Sequence, residues 1–417
     1  MISMGSSDAV KPGEKPETRW HLSLIPLYMA LGSPGLLTTL VALSFGATVA
    51  DIGVMSAAGA MATFVFSLIW GGLSDISGNR KRYLLFFIIA LSPVFLALSM
   101  ANSVTQLILL YTLLVGIASG VAPVGVMYTV ECCTTKTWQR GVARYNSITT
   151  VGNIIGLVTY TFAARFYETR MLFYIAAVMC LLAAFLLWKL GQKSETTPSP
   201  AKSLHNLKSF FSLVPDRLRR LKPPKNLKQL KPLELLLLAS FVHWIGVNSF
   251  GVGQTPLMRT LGLSDSEIFA INGSAGAAQA IAFIWIAPRV GSNHKKLLSR
   301  IVAIRGGLIL CWSALPFFII HPLSYVFVFP LVISIVWSVL YALMWLPITN
   351  FAISHAPTNR KGSVQGELLA TTGVANAVGS GLGGLVITAY GYTTGFVLSS
   401  IVAMLAIPVI SGIEITQ

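Results

Sequence analysis

Acidic residues are scarce in this sequence. Among 417 residues there are 14 Asp and Glu against 30 Lys and Arg, a formal net charge of +16, and charged side chains make up only 11% of the chain. With 54% hydrophobic residues and a mean hydropathy of +0.72, so little charge cannot cover a water-soluble globule. Cysteine is equally sparse: Cys132, Cys133, Cys180 and Cys311 stand at no metal-ligand spacing, which points to free thiols and to no bound metal. The first twenty residues lack the charged, apolar, small-residue succession of a cleavable signal peptide, so insertion is expected to begin with the first span. The six histidines are scattered. They form no catalytic grouping with Asp, Glu, Ser or Lys at one depth, which argues against a membrane-embedded enzyme. No cofactor is expected.

What fills the chain instead is a series of apolar runs, each of about 18 residues or more, long enough to cross a bilayer. They fall near 22–46, 53–73, 83–101, 106–130, 145–164 and 171–190, and then near 233–254, 267–287, 299–320, 324–346, 366–388 and 394–412. The expected fold is an all-α integral membrane protein of twelve transmembrane helices in two six-helix halves. Its parts are a tail at 1–21, a first bundle at 22–190, a basic linker at 191–232, a second bundle at 233–412 and a tail at 413–417. If the amino terminus is inside, only Arg165, Arg170 and Arg259 lie on outer loops. By the positive-inside rule both tails are then cytoplasmic and the protein sits in the cell membrane. The basic balance is thus a matter of topology, and nucleic acid is excluded as a partner.

In the linker, Leu204, Leu207, Phe211, Val214, Leu218 and Leu221 recur at helical spacing among basic residues. An amphipathic helix on the inner leaflet fits this pattern; a plain tether interrupted at Pro215 fits it too.

The halves echo each other. Thr48 to Ile52 resembles Ser264 to Ile268, each with the pattern of a helix-opening capping box. Asn79-Arg80-Lys81-Arg82 pairs with Asn293-His294-Lys295-Lys296, and Gly141 to Gly152 pairs with Gly362 to Gly373. Three landmarks in the same order at nearly one spacing support a duplication.

Between the second and third spans stand Gly71, Leu73, Asp75, Gly78 and Arg80, followed by Lys81 and Arg82. This stretch resembles the loop motif of the major facilitator superfamily of secondary transporters, roughly G-x-L-x-D-x-x-G-x-K/R. Ile76 and Asn79 replace residues that are often basic in that family. With twelve spans and repeated halves around the motif, the resemblance covers the chain from Trp20 onward. It implies that Asp75 ties the halves together at the cytoplasmic side when the transporter faces outward. Arg140 or Arg144 and the amino end of the eleventh span are the available partners; a solvated Asp that merely ends a helix is the alternative. Gly152 and Gly156 have the glycine spacing of the family's antiporter signature but lack its following Pro and paired Gly, so close helix packing explains them equally well. Thr372, Asn376, Gly379 and Gly383 form a similar small-residue face.

The resemblance places a solute near the bilayer midplane between the halves. Every Asp and Glu falls in a loop, a tail or a span end, so no buried acid offers a proton site. His243, deep in the seventh span, is then the candidate for proton coupling or recognition, or else a histidine bonded between helices. Asn248, Asn272, Gln279, Asn153 and Asn376 are amides that lipid would not satisfy. Trp244, Tyr341 and Trp345 could stack on a solute or simply pack. Arg305 is read as lying near the inner end of the ninth span, leaving no fixed cation at mid-depth. This inventory favours a neutral or amphiphilic solute over a phosphorylated one. The expected function is transport of a small organic solute by alternating access, as a monomer in the bilayer, with a proton as the candidate coupling ion. Efflux is favoured; an uptake permease or a non-transporting receptor of the same fold are the alternatives.

Overall fold

The computed structural model describes residues 19–77, 79–133, 137–192, 232–286, 294–318, 323–354 and 361–412. All regular structure among them is helical, as hydrocarbon requires of a chain that must satisfy its backbone within each segment. A 3-10 turn at Arg19–Ser23 leads into α1 (Leu24–Leu31) and α2 (Pro34–Ser44). Next come α3 (Val49–Ser77), α4 (Arg80–Met100), α5 (Val104–Ala118), α6 (Val121–Glu131), α7 (Trp138–Ala163) and α8 (Leu172–Leu190). After the basic segment follow α9 (Pro232–Thr260), α10 (Asp265–Ile281), α11 (His294–Ala314), α12 (Leu323–Ser354), α13 (Lys361–Met404) and α14 (Ala406–Ser411). Ten stretches of the described chain are long and apolar enough to cross a membrane. The 26 residues of α7 are outside that set, because Gln139, Arg140, Arg144, Asn146 and Asn153 lower its hydropathy. The linker residues of the amphipathic pattern lie outside the described residues.

Local chemistry explains where helices start and stop. Ser264 accepts from the Glu267 amide at 3.3 Å while the Glu267 carboxylate accepts from the Ser264 amide at 2.8 Å, a complete capping box. Asp51 and Thr48 make the same reciprocal pair at 2.8 and 3.2 Å at the start of α3. The Asn79 side chain caps α4 by accepting from the Arg82 amide. The run expected at 22–46 is broken at Gly32 and Ser33, since Pro34 has no amide to continue α1. The run at 106–130 is broken at Ser119 and Gly120. The 44 residues of α13 hold a reversal at Gly391, where φ is 84° and ψ is 168°, a conformation open to glycine at no steric cost. Both limbs pack on α9. A Cβ on Gly379 would meet the Ile245 carbonyl, and one on Gly246 would meet Ser399 and Ala403, so the limbs flank α9 on either side of the turn.

Contacts define two ends of the bundle. At one, Arg80 pairs with Glu131, Lys81 donates to the Trp188 and Gly191 carbonyls, and the Tyr128 hydroxyl donates to the Gln192 carbonyl at 2.7 Å; this is the basic end. At the far end, residues before and after the linker meet directly. The Ala50 amide donates to the Thr388 hydroxyl at 2.9 Å, Arg165 donates to Ser266 at 3.3 Å, and Ser266 donates to the Thr161 carbonyl at 2.8 Å. Thr169 bonds Asp265, and the rings of Tyr160 and Phe269 lie 5.7 Å apart. The four cysteines are free, and burial pushes the Cys133 thiol up from its ordinary value.

The tightest of these contacts is α3 on α13. A Cβ on Gly53 would lie 2.6 Å from the Ser380 carbonyl oxygen and 3.0 Å from the Gly384 Cα. Gly53→Leu should therefore lower the melting temperature of the purified protein, through the loss of roughly 1–3 kcal/mol of stability typical of overpacking. Gly251→Ala, where a Cβ meets nothing within 4 Å, should not lower it. Equal melting temperatures for Gly53→Leu and the parent would contradict the backbone-to-backbone contact.

Candidate functional site: a cavity between α3 and α13

From the Gly53–Gly384 contact toward the basic end, α3 and α13 separate. The space between them holds a cavity of about 260 Å³ lined by Thr39, Ser56, Thr63, Tyr111, Asn248, Thr255, Asn376 and Ser380, with small and apolar residues between them. A second space of about 210 Å³ shares Ala60, Thr63 and Asn376 and continues between Phe64 and the Gly366–Gly373 turns of α13. The hollow is therefore closed at the far end and extends toward the basic end. Among the described residues its walls carry hydroxyls and amides but no carboxylate, Lys, Arg or His. Such a surface can hydrogen-bond a solute and pack against its apolar parts without imposing charge. The lining follows helical spacing: Ile52, Ser56, Gly59, Ala60 and Thr63 share one face of α3, and Asn248, Val252 and Thr255 share one face of α9.

A second cluster lies behind α9. Arg305 is wholly buried, as is His243 at 2% exposure. The guanidinium sits 4.1 Å from the Trp337 ring centroid, with Trp244 at 5.6 Å and Tyr341 at 6.0 Å. Contacts of this kind contribute up to about 2 kcal/mol each when desolvated. Its Nη1 donates to His243 Nε2 at 3.1 Å and reaches the Met344 sulfur at 3.3 Å. His243 Nδ1 in turn lies 3.3 Å from the Ala403 carbonyl. One ring nitrogen therefore accepts and the other donates, which fixes the neutral Nδ1–H tautomer. Tyr341 and Trp345 stack at 6.1 Å and 7°, and Trp244 stands edge-on to both.

One expectation needs correction. Arg305 is not a cation at a span end: it is buried in the interior of α11, because that helix begins at His294, several residues before the apolar run. For His243 the structure has the second of the two readings, a histidine bonded between helices. It is Arg305's acceptor, and it does not line the cavity.

Of the remaining residues singled out from the sequence, Asn248 and Asn376 line the cavity. Asn248 donates to the Trp244 carbonyl at 2.7 Å, and the Asn376 side-chain oxygen accepts from Ser380 at 3.0 Å. Trp244, Tyr341 and Trp345 belong to the Arg305 cluster. Asn272 bonds back to the Ile268 carbonyl, while Gln279 on α10 and Asn153 on α7 belong to neither group. In the loop motif, Gly71, Leu73 and Asp75 continue α3, but their side chains, and all of Gly78, lie outside the described residues. Arg80 opens α4 and pairs with Glu131; Arg140 and Arg144 stand exposed on α7. Ser56, Thr63, Thr255 and Ser380 were missed. Their one signal was hydroxyls recurring on a single face of an apolar helix.

Long apolar helices around a polar hollow, sealed at one end, define a polytopic membrane protein built to hold a solute. The family model described as Major Facilitator Superfamily matches residues 21–368, and the chain belongs to that superfamily of membrane transporters, which are not enzymes. A multidrug resistance protein MdtG from a Rahnella species is 25% identical over 351 residues, covering 82% of this chain and 79% of its own. The solved nucleoside transporter NupG aligns with a TM-score of 0.70 at 13% identity, over 96% of this chain and 99% of that one. The human organic anion transporter MFSD10 (TETRAN) aligns with a TM-score of 0.61 at 16% identity, over 95% and 100%. At such identities the two solved structures establish the fold alone.

The bonding around His243 generates a contrast. Gln can keep an acceptor for Arg305 and a donor for Ala403, so His243→Gln should stay within about 1.5 kcal/mol of the parent in stability. It should also leave any pH dependence of transport in place. His243→Leu strands the guanidinium and should cost about 3 kcal/mol or more. Both are read by thermal unfolding of the purified protein, with proteoliposome transport for the pH profile. Loss of pH-driven accumulation in His243→Gln would reinstate the imidazole as a proton carrier.

Proposed function

We propose that the chain is a secondary transporter that exports small amphiphilic organic solutes across the cell membrane by alternating access. Twelve spans carry this reading: the ten apolar stretches, with α7 as an eleventh and the last stretch divided at Gly391 to give a twelfth. They group as two six-helix halves, 22–190 and 233–412, joined by the basic linker at 191–232. By the positive-inside rule the Lys and Arg at the basic end support a cytoplasmic position for that end and for both tails. The single observation that carries the mechanism is the hollow between α3 and α13, closed at the far end and extending toward the basic end. In these terms the described state is inward-facing, and Asp75, with Arg140 or Arg144, closes the basic end in the opposite state. The relatives named for multidrug resistance support efflux as the direction, and a lining of hydroxyls and amides suits a solute recognised mainly by shape and hydrogen bonds. With His243 held by Arg305 and Ala403, a coupling proton is left to the acids at the helix ends. Asp51 is first among these because it stands in the turn of α3 that forms the seal. The monomer is the working unit.

The test is transport in proteoliposomes with a panel of fluorescent amphiphiles. The parent should move at least one of them. Asn248→Leu with Asn376→Leu, which removes both amides from the cavity, should cut that movement by about 10-fold or more. Movement of no panel member by the parent, or an unaltered rate in the double variant, would contradict the reading.

A further inference from the structure

The Arg305 cluster is rich in donors and short of acceptors. Only Nη1 of the guanidinium is used, by His243 and Met344. Nε and Nη2 are buried without a hydrogen-bond partner, and so is the indole Nε1 of Trp244, whose ring lies 5.6 Å from the guanidinium carbon. The two unused guanidinium nitrogens share one edge. On that edge Nε–H and one Nη2–H run parallel at the spacing of two carboxylate oxygens, which is the geometry of a bidentate arginine–carboxylate pair. A fully buried cation with that edge vacant and no carboxylate paired to it among the described residues is costly. An anion with two oxygens matches the geometry of that edge.

Trp244 is one turn from Asn248, which lines the cavity and bonds the Trp244 carbonyl. Trp244, Tyr341 and Trp345 are each half-buried, so this aromatic wall keeps some exposure beside the fully buried Arg305. No hydrogen bond anchors the Trp244 indole; packing alone holds its ring 5.6 Å from the guanidinium carbon, and the subsite proposed below requires that ring to move. The stacked rings of Tyr341 and Trp345 then present a flat apolar face beside the charge.

We propose that Arg305 is an anion subsite of the transport pathway: its Nε and Nη2 edge takes the carboxylate of an aryl-bearing organic acid whose apolar body lies against Trp244, Tyr341 and Trp345. The inference rests on the transporter reading above and narrows its solute class from amphiphiles in general to amphiphilic acids.

The experiment uses the purified full chain and matched probes: a set of naphthyl- and phenyl-alkanoates, the primary amide of each, and acetate. Binding is measured by titration calorimetry and movement in proteoliposomes. The parent should bind at least one acid about 10- to 100-fold more tightly than its amide, as charge-assisted hydrogen bonds warrant. Acetate should bind far more weakly than that acid. Arg305→Gln should bring acid and amide to parity with the amide's affinity kept, and Arg305→Lys, which has charge without the fork, should recover part of the preference. The acid–amide comparison in the parent needs no variant, so a failure of Arg305→Gln to fold leaves the test intact. Parity in the parent while amides are bound and moved would overturn the subsite and leave the transporter standing. Acetate binding as tightly as the aryl acids would overturn it in favour of a free-anion site. Binding of no acid would overturn the subsite, while the amphiphile panel above decides the transporter reading separately.

Discussion

The closure of α3 on α13 is the contact on which the rest depends. Gly53 and Gly384 let two helices from opposite sides of the linker touch at backbone distance, and the Ala50–Thr388 bond fixes their register. In lipid no hydrophobic force favours such an approach over contact with hydrocarbon chains, so close packing and a few hydrogen bonds must hold it. That makes the contact tight and also separable. Past the glycines the helices diverge, and the polar hollow opens where the seal ends. A hollow sealed by small residues at one end is the arrangement that a rocking motion of two halves can exchange for its opposite.

Polar groups in the interior are treated in two ways. Most hydroxyls bond back to a carbonyl of their own helix, as Thr38, Thr112, Thr159 and Ser399 do, and so are satisfied without involving a neighbour. Others join helices: Ser249 donates to the Gly379 carbonyl and Ser400 to the Gly306 carbonyl. These tie α9 and α11 to the two limbs of α13 and make that part of the bundle one body. Arg305 is the exception. Its charge is dispersed over aromatic faces rather than neutralised, which keeps a strong donor available inside a wall that is otherwise apolar.

Much of the fold was legible in the sequence because the signals that set it are local. Apolar length marked the spans, Thr48 with Asp51 and Ser264 with Glu267 marked two helix starts, and the gap between the last two apolar runs fell on Gly391. The glycines at 152 and 156 do serve packing: a Cβ on either would strike the backbone of α1. The site was legible only in part. Asn248 and Asn376 stood out because an amide in lipid must find a partner. Ser56, Thr63, Thr255 and Ser380 did not, because a hydroxyl that faces a cavity and one bonded to its own helix look alike in sequence. Arg305 was misplaced since its depth depends on where α11 begins, and the basic residues before the apolar run belong to that helix. Its pairing with His243 joins residues on two helices, a relation that no spacing along the chain encodes.

The central claim is that the far end and the basic end open in opposition, and pairs of distances measured in one sample test it most directly. Spin labels at Phe166 and Tyr390, which are 79% and 71% exposed, report the far end, and labels at Lys189 and Arg300, both exposed, report the basic end. In the resting protein the far-end distribution should be short and narrow and the basic-end distribution long. Conditions that shorten the second should lengthen the first. Two distributions that stay fixed, or that widen together, would contradict the account.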